Sequence, residues 1–405
     1  MRSVDANGNG ESVLPALGRW GRGVLPVFFL GLLGLLIGLG VDRRQFFQAF
    51  LFGYVFWLNL SLGCLSLVLL HHIIRASWTL GILRILEAGT RVLPLMAGLF
   101  VVVAVGMWMG DIYPWTGIRT ETDPGMRHVL DLKGAYLNPV FFLVRAVVYF
   151  AFWIAISRFM NRSSLEQDRT GDPTLAQTRT NWSAPGLVLH VLLITFAFTD
   201  WVMSLDPHWY STIFGVLFLA GQALNAVAFA TFIFVLFANR RPFSEAATHQ
   251  QTRDLGNMMF ALTLFWTYIS LSQFLIIWSA NLPEETPYYV IRNSGGWLWV
   301  GVANILFGFF TPFLLLLSGR TKRTPDYLWR VAALIFVMRV VDVSWTVIPF
   351  YLQAHWGDVS HLWWMCAAAW LGIGGIWLSV FLGHLRRNPL LARHSPRTEE
   401  VLEHA

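Results

Sequence analysis

The chain has 405 residues, 13% of them charged and 56% hydrophobic, with 15% Phe, Trp and Tyr and a mean hydropathy of +0.55. Soluble domains carry about 25% charged side chains, so this composition excludes an ordinary soluble enzyme and makes lipid the natural solvent. The net charge of +6 calls for no nucleic acid, because Lys and Arg gather on one face of the membrane, beside anionic lipid.

A bilayer crossing needs roughly 20 apolar residues. Ten runs approach or exceed that length, at 24–41, 46–70, 92–109, 139–156, 185–204, 210–237, 255–280, 297–318, 328–352 and 361–385. None alternates polar with apolar residues, so helices are expected and a barrel is not. The predicted fold is all-α: a polytopic membrane domain over 24–385, a polar tail at 1–23 and another at 386–405. Arg19 and Arg22 precede the first run in the manner of a signal peptide, but Asp42-Arg43-Arg44 follows it in place of a cleavage site, which predicts an uncleaved helix.

With the first tail inside, 21 Lys and Arg fall on its side of the membrane and six on the other. The positive-inside rule then places both termini in the cytoplasm, as expected for a multi-pass protein of a bacterial inner membrane. Cys64 and Cys366 lie within spans and lack a CxxC or CxxCH neighbourhood, so neither disulfides nor covalent haem are indicated. The longest connections, 110–138 and 157–184, are too short to fold alone. Residues 158–179 are polar with charges of both signs and are expected to be a solvated cytoplasmic loop.

A faint internal echo links ITFAFTDWVMS, with Asp200, to IFVMRVVDVSWT, with Asp342. Each precedes a His-Trp pair, His208-Trp209 and His355-Trp356. The four-span offset preserves helix direction, which predicts a parallel repeat of two four-helix bundles, spans two to five and six to nine, with the first and tenth outside.

The informative residues are the polar ones that lipid should exclude, since an ionisable side chain at span depth costs several kcal/mol unless paired or neutralised. Arg145 and Asp200 lie at similar depth in the fourth and fifth spans and can pair. Arg339 and Asp342, three apart in the ninth, share a helical face. Both pairs fit a proton relay or polar quinone pocket, and equally a set of ion bridges that fixes packing. His71, His72, Glu87 and His190 toward the cytoplasmic side, Gln273 and Asn304 at mid to outer depth, and Asp111, Asp206 and His208 at the outer surface could extend two half-paths. Gln273 and Asn304 serve as readily as interhelical hydrogen-bond partners. Only His190 lies well inside a span, so facing haem ligands are not expected. There is no P-loop, no GxGxxG before a helix and no HExxH.

The tight turn at 204–212 has Pro207 to end one helix, Ser211 and Thr212 to cap the next, and Trp201, Trp209 and Tyr210 suited to the interface. Within TDWVMSLDPHWYSTIFGVLFLAGQ, and with LGCLSLVLLHHI, LEAGTRVLPLM, YLNPVFFLVRAVVYF, IRNSGGW and RVVDVSWTVIPFY in this order, it resembles the F subunit of bacterial alternative complex III, in the polysulfide reductase membrane-subunit type. That resemblance implies ten helices in two bundles. The implied partners are a homologous C subunit, an iron-sulfur B subunit, c-type haem subunits, small membrane subunits and a terminal oxidase. It implies a role in oxidising quinol, usually menaquinol, with haem c and iron-sulfur clusters in the partners and no redox centre here. It also implies a proton route through Asp200, Asp206, His208, Arg339 and Asp342. Two other classes stay open. One is a purely structural anchor; the other is a secondary transporter, which should break its helices at corresponding places in both halves, where only Gly295-Gly296 suggests itself.

Overall fold

The computed structural model describes residues 12–75, 77–116, 124–353 and 357–392. Among these the chain is mostly helical, with turns and short links between the helices and one isolated bridge between Ser12 and Arg241. Ten helices are long and apolar enough to cross a membrane: α1 (Leu14–Val41), α2 (Arg43–Ile74), α3 (Leu83–Trp108), α4 (Pro139–Thr170), α5 (Thr174–Leu205), α6 (Phe214–Leu236), α7 (His249–Ala280), α8 (Trp297–Leu317), α9 (Pro325–Leu352) and α10 (Leu362–Arg387). All ten expected spans are present. An even number returns the chain to its starting end, so the two ends are called the basic end, which holds most Lys and Arg, and the far end.

Local chemistry sets several boundaries. Asp42 caps α2 by accepting from Gln45 N at 3.0 Å, and Asn138 caps α4 by accepting from Phe141 N at 2.8 Å, with Pro139 at the first helical position. Gly171, at φ 72°, takes the left-handed turn that ends α4. The expected caps for α6 are absent: α6 begins at Phe214 with no side-chain cap, and Ser211 contributes its carbonyl, which accepts from Phe214 N at 3.3 Å.

The packing matches the expected grouping. Helices α2, α3, α4 and α5 close one ring by neighbour contacts, and α6, α7, α8 and α9 close another. Helix α2 packs on α6 between the rings; α10 lies against α2, and α1 against α10. Helix α2 is buried on nearly every face, whereas α1, α7 and α8 are mostly exposed. Its sequence explains this: 46–70 is apolar all round, as suits a helix with protein on every side. The echo pair His355-Trp356 lies outside the described residues.

Three boundaries differ from expectation. Residues 14–23 belong to α1, extending the helix into the predicted tail. Helix α3 starts at Leu83, earlier than residue 92, with a break between Thr90 and Leu93. Residues 158–179 are not a loop: α4 continues to Thr170 and α5 begins at Thr174, with Asn161, Ser164, Gln167 and Arg179 buried. The polar side chains there face one another and the start of α3.

The two rings meet at a backbone crossing. A Cβ on Gly63 of α2 would stand 2.0 Å from the carbonyl oxygen of Gln222 on α6, whereas one on Gly98 of α3 would meet nothing within 4 Å. Gly63→Ala must therefore push α2 from α6, an overpacking cost of about 1–3 kcal/mol. The expected outcome is a lower thermal midpoint in detergent for Gly63→Ala and an unchanged one for Gly98→Ala, read by intrinsic tryptophan fluorescence.

Candidate functional site

The polar residues singled out from the sequence separate into groups at different places in the fold. At the far end of the first ring, Arg145 on α4 meets Asp200 on α5 in a two-pronged ion pair, Nε to Oδ2 and Nη2 to Oδ1, both 2.8 Å. Tyr149, one turn along α4, donates its hydroxyl to Asp200 Oδ2 at 2.8 Å. Arg145 Nη1 donates to the Tyr136 carbonyl at 3.0 Å, and the guanidinium lies 3.9 Å from the Tyr136 ring centroid and 4.3 Å from that of Phe141. Asp200 is 0% exposed. Its carboxylate accepts three bonds, and the backbone carbonyl of the same residue accepts from Ser204 Oγ at 2.5 Å.

In the second ring, Arg339 Nη2 donates to Asp342 Oδ2 at 2.5 Å within α9, and Asn304 Nδ2 on α8 donates to Oδ1 at 2.9 Å. The Arg339 guanidinium lies 4.7 Å from the Trp266 ring of α7. A Cβ on Gly221 of α6 would stand 2.3 Å from Arg339 Nη2, so the absence of a side chain there makes room for the charge. The Asp342 side chain is 14% exposed. Around it, Asn304 Oδ1, Trp345 Nε1 and Trp266 Nε1 are buried without a hydrogen-bond partner among the described residues. So are both polar atoms of Gln273 on α7, which is 2% exposed. Gln273 and Asn304 each stand seven residues from the far end of their helices, about 10 Å at 1.5 Å per residue. Native proteins leave few buried polar atoms unpaired; the first ring holds such atoms too, among them the Tyr136 hydroxyl beside Arg145, Trp201 Nε1 and His190 Nδ1, and in the second ring Gln273 has neither of its polar atoms bonded.

Asn304 owes its position to a local irregularity. Residues Asn304–Phe310 form a π-helical segment inside α8, followed by Thr311-Pro312. Pro312 offers no N–H and its ring crowds the carbonyl four residues back, so the helix widens ahead of it. Thr311 Oγ1 donates to the Leu306 carbonyl, five residues back, at 2.8 Å. Gly295-Gly296, the only transporter-like break that the sequence suggested, stands just before α8, and the irregular backbone lies elsewhere, inside α8 and at the break in α3. These are the third span of one ring and the second span of the other, which are not corresponding places.

His190 is wholly buried on α5, its Nε2 2.8 Å from Ser66 Oγ of α2. At the basic end, Arg84 pairs with Glu87 and Asp168 and donates to Ser164 Oγ at 3.1 Å; Arg91 Nη2 stands 3.6 Å from Glu87, and Arg91 Nε donates to Asn161 at 2.9 Å. Arg179 donates to Ser163 Oγ at 3.1 Å and also binds Gln167. His71 meets Thr79, and the His72 carbonyl accepts from Thr180 Oγ1 at 2.9 Å. At the far end, Asp111 pairs with the exposed Arg43 at 2.8 Å, Asp206 Oδ1 accepts from His208 N at 3.1 Å, and the His208 side chain is exposed.

Sequence reading missed Arg84, Arg91, Asp168 and Arg179, whose clue was the spacing Arg84, Glu87, Arg91 on one helical face. It also missed Arg292, which is 0% exposed and donates to the carbonyls of Tyr288, Trp345 and Thr346 at 2.7, 3.0 and 2.5 Å. This arginine closes the last helical turn of α9 against the segment Pro287–Arg292, the favourable place for a cation at a helix C-terminus. Trp209 stacks on Tyr288 with centroids 4.3 Å apart, which joins the distinctive turn at 204–212 to the second ring. No cluster of three or more His, Cys, Asp or Glu able to hold a metal is present among the described residues. No protein-family model and no curated protein matches the chain.

The saturated Arg145–Asp200 pair is built as a brace. Asp200→Leu alone leaves a guanidinium buried without its partner, which costs about 3–5 kcal/mol, whereas Arg145→Met with Asp200→Leu removes both charges and should restore most of the loss. Equilibrium unfolding in mixed detergent micelles checks this. A double variant as unstable as the single one would refute the assignment.

Proposed function

We propose that this chain is a membrane subunit without redox centres of its own in a quinol-oxidising respiratory complex of the alternative complex III type, and that Asp342 with Arg339 and Asn304 is its protonatable element. The first half is supported by the six segments that resemble the F subunit, serially ordered from residue 62 to residue 351. It is supported further by ten spans in two rings with one flanking helix at each terminus, the arrangement that the resemblance implies. In this reading the chain sits in a bacterial inner membrane with both termini cytoplasmic. The partner subunits hold haem c and the iron-sulfur clusters and carry out the quinol chemistry. Toward menaquinol itself, in this reading, stands Gln273, a buried amide with neither polar atom bonded among the described residues.

The second half rests on the contrast between the two aspartates. Protonating Asp200 would break two charge-assisted bonds to Arg145 and disturb a third to Tyr149. Asp342 has one donor on each oxygen, a partly exposed side chain, and next to it an amide oxygen on Asn304 with no partner among the described residues. When Asp342 takes a proton, its hydroxyl can donate to Asn304 Oδ1 after a turn of that amide, and Arg339 keeps its seat against Trp266. When the proton leaves, the carboxylate regains both donors. A neighbouring cation favours the charged form of a carboxylate and hydrocarbon the neutral one; with Arg339 fixed on the same helix, the donor that a movement of α8 adds or removes is Asn304.

A structural anchor accounts for Arg145–Asp200, whose carboxylate accepts from three donors on another helix, whereas Asp342 has a single donor on each oxygen and the unpaired amide oxygen of Asn304 beside it. A transporter would want breaks at equivalent places in both halves, and those in α3 and α8 are not equivalent. Asp342→Asn tests the proposal: in reconstituted native complex, protons moved per electron should fall while quinol oxidation continues near its original rate. An unchanged ratio removes the protonatable role. Failure of the tagged chain to bring down haem-bearing partners from native membranes removes the complex assignment, a separate outcome.

A further inference from the structure

At the basic end, where the first turns of α7 pass the link between α8 and α9, a cleft of about 410 Å³ opens between His249, Gln250 and Arg253 on one side and Arg323 and Thr324 on the other. Its lining is mostly exposed, and His249 Nδ1 lies 3.2 Å from the Arg323 carbonyl across it; two features favour an anion there. First, Arg253 and Arg323 line the same cleft and neither forms an ion pair among the described residues, in contrast to Arg84, Arg145 and Arg339 elsewhere in the chain. The carboxylates nearest in sequence are Asp254, which accepts from Gln250 Nε2 at 2.8 Å, and Asp326, in the first turn of α9. Second, the cleft sits at the start of a 32-residue helix capped by Thr248, where the dipole and the first backbone N–H groups favour negative charge.

The surroundings specify more than an anion. The segment Gly319–Arg323 adds Arg320 and Lys322 to the same edge. Lys322 lays its alkyl stem across α7 at Gly256, where a Cβ would stand 2.6 Å from Lys322 Cγ, and holds its ammonium 5.6 Å from the Phe260 ring centroid. Directly on the membrane side, the last turns of α8 expose Leu314, Leu315 and Leu317. A ligand with a phosphodiester in the cleft and hydrocarbon along these leucines would satisfy both parts.

We propose that the cleft between α7 and the α8–α9 link binds the headgroup of an anionic phospholipid, with Arg253 and Arg323 gripping the phosphate. Basic pockets between transmembrane helices at a membrane surface are suited to such headgroups, at about 1 kcal/mol per cation. The inference does not depend on the role of Asp342.

The test uses the full chain in nanodiscs of phosphatidylcholine with increasing phosphatidylglycerol, with bound lipid counted by native mass spectrometry and thermal midpoint recorded in parallel. Wild type should retain phosphatidylglycerol selectively and gain stability from it. Arg253→Gln with Arg323→Gln should bind it roughly 30-fold more weakly, with an unchanged midpoint in pure phosphatidylcholine; Arg330→Gln, outside the cleft, should behave as wild type. Equal retention of both lipids by wild type, or undiminished retention by the double variant, overturns the proposal. So does inorganic phosphate reproducing the full stabilisation in phosphatidylcholine, because the site would then serve a free anion.

Discussion

A carboxylate surrounded by hydrocarbon has to be met by donors or by a proton, because no water is at hand to solvate it. Much of the second-level structure of this protein follows from how Asp200 and Asp342 meet that requirement. For Asp200 the donors come from a different helix. Arg145 and Tyr149 lie one turn apart on α4, so satisfying the acid also fixes α4 to α5 and, through Tyr136, fixes the segment leading into α4. For Asp342 the first donor, Arg339, is on the same helix, and only Asn304 reaches across from α8. Room for that arginine depends on a glycine, Gly221, on a third helix.

Backbone groups obey the same rule, and both irregular spans show the repair. In α8, just ahead of Pro312, the Leu306 carbonyl accepts from both the backbone N–H and the hydroxyl of Thr311. At the break in α3, Thr90 Oγ1 donates to the Glu87 carbonyl at 2.8 Å and Ser157 Oγ donates to the Thr90 carbonyl at 3.2 Å. Irregular backbone at membrane depth survives where protein side chains cover it. The buried ionic cluster of Arg84, Glu87, Arg91 and Asp168 gathers at the α3 break, so the charges that fix this end of the first ring also stabilise its most irregular turn.

Sequence alone revealed the spans because hydrophobic length is a local property, and it revealed Arg145 with Asp200 because opposite charges at equal depth on consecutive helices have few other partners. Residues 158–179 were misread because polar residues on a solvated loop and polar residues facing another polar surface look alike; only the spacing Arg84, Glu87, Arg91 hinted at the second surface. Arg292 was illegible for a different reason. Its partners are three main-chain carbonyls, which leave no trace in side-chain identity. The π-helical segment had a visible cause in Pro312, but a proline alone does not say whether a helix kinks, ends or widens. The uncommitted state of Gln273 could not be read at all, since it depends on what fails to lie beside it.

The two rings differ in what a relative movement of their helices would cost. Sliding α4 against α5 breaks both prongs of the Arg145–Asp200 pair and the Tyr149 bond at once. Sliding α8 against α9 leaves Arg339 with Asp342, since both ride on α9, and breaks the single bond from Asn304, of the kind worth about 1.5–3 kcal/mol. The widened turn that carries Asn304 concentrates such a displacement next to the acid. An ion pair carried on one helix can therefore have its surroundings changed without being separated, while one shared between two helices resists change by construction. On that physical ground, the second ring is where the surroundings of a buried acid change at the smaller cost, which is what the proposed role of Asp342 requires, and the first ring is built to resist such a change.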